Sequence, residues 1–110
     1  MDRKKLLADY NEALIEEANS KVVLIKAKDE LDKIWANLYI EYSSVPEGAR
    51  KPTEKALDAH ITVHPDHQQA TKAYQESYLK SRLAIATAKH LEAVIALEIG
   101  EGYRSILKKK

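Results

Sequence analysis

The sequence predicts an all-α protein in which two long helices pack as an antiparallel hairpin of coiled-coil character. An elbow with a short helix of its own joins them, and oligomerisation completes the fold. Three observations predict this. The composition is rich in Ala, Lys, Glu and Leu, residues that favour helix. Apolar positions recur at spacings of three and four along two long segments. All three prolines, Pro46, Pro52 and Pro65, fall in the single stretch between those segments. At 110 residues there is room for one domain. With no Phe, one Trp and one Met, two long helices bury limited apolar area alone, so a partner is expected to complete the core.

The first helix is expected over residues 2–42, with Asp2 as its N-cap and neither Gly nor Pro inside. Leu6, Tyr10, Ala13, Leu24, Ala27, Leu31, Ile34 and Leu38 share one face. Glu16, Glu17, Asn19, Ser20 and Lys21 thin that stripe for nearly two turns. A weak point, a bend or a polar layer would each account for the gap.

Residues 43–52 read as a loop and 53–63 as a short helix capped by Thr53. Ala56, Leu57, His60 and Ile61 form its apolar side. The second long helix, 65–99, opens at His64-Pro65-Asp66. Proline at the first helical position gives up no needed donor, and Asp66 complements the positive end of the helix dipole. Tyr74, Ser77, Ser81, Ala84, Ala88, Leu91 and Ile95 make one stripe on this helix. Leu79, Leu83, Ala86, His90 and Leu97 make another, so it needs more than one neighbour. Gly100 and Gly102 are expected to weaken the helix before a C-terminal helical tail at 103–109. An elbow carrying its own capped helix is more specified than a plain helical hairpin requires. It is expected to fold the chain back and to project its short helix and basic loop toward a neighbouring subunit or ligand.

Function classes narrow by exclusion. The net charge is +1, so any electrostatic role depends on where the charges sit. The absence of cysteine excludes a disulfide scaffold, thiol catalysis and Cys-ligated zinc, and it fits a reducing cytoplasm. The basic start "MDRKKLL" is cut short by Asp9, so neither a signal peptide nor a membrane span is expected. There is no Gly-rich phosphate loop, no Ser-His-Asp order and no nucleophile motif, and a non-enzyme without a cofactor is expected. His60 and His64 stand four apart, a separation some zinc sites use. Pro65 interrupts the helix just after His64 and no third ligand has clear spacing, so no metal site is assigned.

A helix ending in paired tyrosines ("LYIEYSS"), a Gly-containing loop, the junction "PTEKALDAHITVHPDHQQATKAY" and a last helix ending in "GEGYRSILKKK" resemble the phage recombination mediators, the UvsY-like proteins and their shorter relatives. The resemblance spans roughly residues 20 to 110 and lies in pattern and order. It implies a homo-oligomer, a ring among its forms, that binds single-stranded DNA and helps a recombinase replace single-strand-binding protein, in the cytoplasm of the host where a phage encodes it. A helical inhibitor or adaptor that binds a host protein without DNA is the alternative.

Phosphate binding needs grouped Lys or Arg, and single strands stack on aromatic rings. The best grouping is Lys33, Trp35 and Tyr39 late in the first helix with Arg50, Lys51 and Lys55 in the elbow. The family carries basic residues on the helix before the tyrosines, whereas this chain has Lys33 but Ala36 and Leu38 there. Each residue also has a plainer use: Trp35 and Tyr39 in helix packing, and the elbow cations as a solvated surface. Arg104 with the terminal lysines is a second basic candidate. Leu31, Trp35, Leu38, Leu83, Leu91 and Ile95 are the positions assigned to an oligomer interface.

Overall fold

A computed structural model describes residues 2–108, with side chains through residue 100. Three helices follow in order: α1 (Arg3–Ser43), α2 (Glu54–Val63) and α3 (Pro65–Lys108). Helix α1 packs against α3 with the short α2 between them, as a hairpin. Among the described residues there is no strand, and no helix is long and apolar enough to cross a membrane.

The caps are local chemistry. The Lys4 amide donates to Asp2 Oδ1 at 3.0 Å, and the Leu6 amide donates to the Asp2 carbonyl at 3.0 Å, so Asp2 starts α1. Thr53, extended at φ −73° and ψ 157°, accepts the Ala56 amide on its hydroxyl at 3.1 Å and starts α2. Between these helices, the Ala49 amide donates to the Pro46 carbonyl at 3.0 Å. Gly48, at φ +86°, occupies the left-handed position that such a turn reserves for glycine. Thr53 is exposed, so its hydroxyl serves the cap alone. Thr53→Ala is expected to cost about 1 kcal/mol in urea unfolding, and Thr53→Ser to restore most of it.

One residue serves both sides of the second junction. His64 ends α2, its amide donating to the Ile61 carbonyl at 3.1 Å, and it is extended (φ −66°, ψ 133°) as a residue before proline must be. Its carbonyl accepts the Gln68 amide at 3.0 Å, and its imidazole Nδ1 accepts the Asp66 amide at 3.1 Å. His64 is therefore also the N-cap of α3, and the acceptor role requires Nδ1 to carry no proton.

The expected break after Ile99 does not occur, since α3 runs through Gly100 and Gly102 to Lys108. A glycine inside a helix costs about 1 kcal/mol but keeps its backbone donor and acceptor, so two of them lower stability without stopping the hydrogen-bond ladder. Lys109, the last residue of the expected tail, lies outside the described residues.

The chain divides into two compact units, one formed by residues up to Lys21 with those from Leu79 onward, the other by Val22–Tyr78. In the first, the covered residues of α1 are Leu6, Tyr10, Ala13, Glu17 and Ser20, and on α3 Ser81, Ala84, Ala88, Leu91 and Ile95 form a covered stripe with Ile85, Val94, Glu98 and Gly100 partly covered beside it. Both sets alternate steps of four and three, the seven-residue repeat of a coiled coil. Half the positions are Ala or Ser, small enough to let two backbones approach toward the 8 Å end of the usual 8–10 Å interaxial range. The thinned stretch of α1 is a polar layer inside a continuous helix. Ser20 is buried and donates to the Glu17 carbonyl at 2.8 Å, while Lys21 pairs with Glu17 at 3.0 Å.

In the second unit the same repeat continues through Leu24, Ala27, Leu31, Ile34 and Leu38 of α1 and His67, Ala70, Tyr74 and Ser77 of α3. Helix α2 adds Leu57, 3% exposed, and Ile61, fully buried and the largest such side chain described. A ten-residue helix is too short to hold itself in water, so these two side chains keep α2 in place.

Candidate nucleic-acid interface

The elbow side of the second unit is built on aromatic–histidine contacts. Trp35 meets His67 edge-on with ring centroids 5.6 Å apart. Tyr42 lies 5.5 Å from His60 and 6.4 Å from His64. The three histidines that stood out in the sequence thus pack against α1 aromatics. Among the described residues no three His, Cys, Asp or Glu side chains are grouped to hold a metal ion.

An open groove of about 390 Å³ lies beside these contacts, lined by Trp35 and Tyr39 of α1 and by Glu54, Lys55, Leu57 and Asp58 of α2. Trp35 and Tyr39 stand one helical turn apart and so present to the same side. The Tyr39 hydroxyl donates to Glu54 Oε1 at 2.8 Å. That hydrogen bond to a carboxylate, reinforced by its negative charge, raises the Tyr39 pKa above its ordinary value of 10.0. The phenol is therefore neutral and oriented at physiological pH. Glu54 and Asp58, four residues apart on α2, put two carboxylates on the groove beside the single ammonium of Lys55.

The residues picked out in the sequence are only partly gathered here. Tyr39 and Lys55 line the groove together with Trp35. Arg50 and Lys51 are exposed in the loop leading to Thr53. Lys33 is exposed on α1, but two residues from Trp35 means about 200° around the helix, on another side from the groove. Lys28, also on α1, binds Asp32 at 3.0 Å and lies 5.8 Å from the centre of the Tyr74 ring. Its pKa is raised chiefly by the Asp32 hydrogen bond and then by that residue's charge. The side chains of Arg104 and the terminal lysines lie outside the described residues.

Of the residues assigned to an oligomer interface, Leu31, Leu91 and Ile95 are half-buried in the chain's own helix seams, and Trp35 is half-buried against His67. Leu38, 6% exposed, is used up inside the chain and offers no surface to another. Leu83, 68% exposed, faces outward. The seam positions looked available because apolar spacing alone does not say which stripe the partner helix of the same chain takes. The groove carboxylates were not singled out from the sequence, although Glu54 and Asp58 at i and i+4 carry the signal of a shared helix face.

Compared with known protein families, with curated proteins and with solved structures, the chain matches none.

Proposed function

We propose that the chain is an oligomeric accessory protein of DNA recombination that acts in the cytoplasm. It binds single-stranded DNA at its elbow and helps a recombinase take the place of single-strand-binding protein. The observation that supports this is the groove: two aromatic rings one turn apart, Lys55 on its edge, and the exposed Arg50 and Lys51 in the adjoining loop. Cations engage the sugar–phosphate chain while a ring face takes a base. One subunit offers few such contacts, so useful affinity depends on repeating the site in a homo-oligomer, where each later contact forms at high effective concentration.

The test is fluorescence anisotropy of a labelled single-stranded oligonucleotide over a series of salt concentrations. Each phosphate contact on a single strand contributes a slope of about 0.7 in log K against log salt. The Arg50→Ala/Lys51→Ala double variant is expected to bind more weakly and to lower the slope by about 1.4. Trp35, the sole tryptophan, should be quenched by the bound strand. Absence of binding at low salt overturns the proposal, and an unchanged slope removes the elbow as its site.

The carboxylates favour a second reading. Glu54 and Asp58 repel phosphate and would instead receive a basic side chain laid over Trp35 and Tyr39, a cation–π arrangement suited to a protein partner. A helical adaptor of that kind would bind a lysine- or arginine-rich peptide and leave the oligonucleotide free.

A further inference from the structure

We infer that the joint between α2 and α3 is a proton-sensitive element: charging His64 and His67, as the pH falls from about 7.5 to about 5.5, weakens the packing of the second unit. The inference rests on the hydrogen bonding of the joint and stands apart from the proposed function.

Histidine is the side chain whose charge ordinarily changes between about pH 5 and 8. Of the four histidines in the chain, three stand at this joint, and each ring packs against an aromatic ring of α1. No linker separates the two helices: α2 ends at Val63, α3 begins at Pro65, and His64 caps both. A change in the bonding of His64 therefore acts on two helix ends at once.

A proton added to a neutral imidazole leaves an N–H on both ring nitrogens and no acceptor. At His64 that removes the 3.1 Å bond from the Asp66 amide to Nδ1 and sets two donors against each other. At His67 the cause differs but the sign is the same. Its Nδ1 is buried and, among the described residues, has no hydrogen-bond partner. A neutral ring avoids a loss there by carrying its proton on Nε2, whereas a charged ring must bury an N–H without an acceptor. The Thr71 hydroxyl, one turn further along α3, is buried without a partner too and makes no bond to that nitrogen.

The groups that face the joint oppose this only weakly. On α3, Asp66 Oδ2 lies 3.9 Å from His64 Nδ1 and favours the charged ring, but the Asp66 side chain is 70% exposed, and a pair so open to water is worth little. Among the described residues no other carboxylate comes within 4.0 Å of a histidine nitrogen. From α1 the neighbours are the rings of Trp35 and Tyr42. Tyr42 attracts a charged imidazole, yet it is shared by His60 and His64, whose charges repel each other. The charged residues of α2 nearest Trp35, namely Glu54, Lys55 and Asp58, line the groove.

The test is urea unfolding followed by circular dichroism at about pH 7.5 and about pH 5.5. A histidine kept neutral in the fold and free to charge when unfolded raises the unfolding constant by up to about tenfold over that interval. The parent is expected to show a rise of about tenfold or more. His64→Asn keeps an oxygen to accept the Asp66 amide and does not titrate, so its rise should be several-fold smaller. In His64→Asn/His67→Leu the rise should shrink to within about threefold. His90→Asn, at an exposed position of α3 away from the joint, is the control and should respond as the parent does. A parent that is no less stable at the lower pH overturns the inference, because attraction to Asp66 then outweighs the lost bonds. A double variant that keeps the parent's response overturns it as well, as does a His90→Asn that loses the response. Should His67→Leu fail to fold, His64→Asn decides alone, and a response equal to the parent's overturns the joint as the sensor.

Discussion

Replacing Ile61 by alanine is expected to lower the unfolding free energy by about 2–5 kcal/mol, the range for emptying a fully buried aliphatic site. Ile61 is the largest side chain with no exposure, and with Leu57 it supplies the buried contact of α2. The ten residues of α2 have little helical stability of their own, and its N-cap at Thr53 is worth about 1 kcal/mol. Emptying the Ile61 site should therefore loosen the whole short helix. The groove would lose the wall formed by Glu54, Lys55 and Asp58, and Tyr39 would lose its acceptor. Urea unfolding followed by circular dichroism measures the global loss, and Trp35 fluorescence reports the groove. Val63→Ala, two residues on and 66% exposed, is the control and should stay within about 0.5 kcal/mol of the parent. If the two variants unfold alike, α2 is not held by Ile61.

The features that could be read from the sequence are those written in local chemistry. Asp2, Thr53 and the His64-Pro65-Asp66 junction each mark a helix end through hydrogen bonds spanning two to four residues, and all three ends lie where those residues put them. The expected helix bounds differ from the observed ones by a residue at most, except after Ile99. There the two glycines weakened the expectation of helix without supplying a chemical stop. The gap at Glu16 to Lys21 was visible as a loss of apolar residues. Its outcome, a polar layer with Ser20 bonded back to the Glu17 carbonyl, depends on what α3 places opposite and so could not be read from α1 alone.

The candidate site was less legible for the same reason. Tyr39 and Lys55 lie 16 positions apart, and only the docking of α2 makes them neighbours, bringing Glu54 and Asp58 with them. Lys33 was grouped with Trp35 because the two are close in sequence, yet helical geometry alone is enough to part them. The two stripes of α3 were both visible. Burial shows which one faces α1: the small residues Ser77, Ser81, Ala84 and Ala88 are buried and permit a close helix pair, while Leu79, Leu83 and Leu97 are exposed.

That size argument carries a direct test at Ala88. Ala88 is 4% exposed, midway along the seam of the first unit, with Ser81 and Ala84 before it and Leu91 and Ile95 after it on the same face. Leucine there adds three carbons where the small side chains hold the helices close. The helices must move apart or the leucine must leave its preferred rotamer, and either costs about 1–3 kcal/mol. Leucine has nearly the helix propensity of alanine, so the loss cannot come from α3 itself. Ala96→Leu makes the same chemical change at an exposed position of the same helix and should leave stability within about 0.5 kcal/mol of the parent. A chain whose hairpin were held mainly by large residues at the seam ends would absorb leucine at Ala88 with little loss. Equal unfolding midpoints for the two variants would mean that the seam is loose at its centre. A loss confined to Ala88→Leu would mean that close approach of α1 and α3 at their small residues is what stabilises the hairpin.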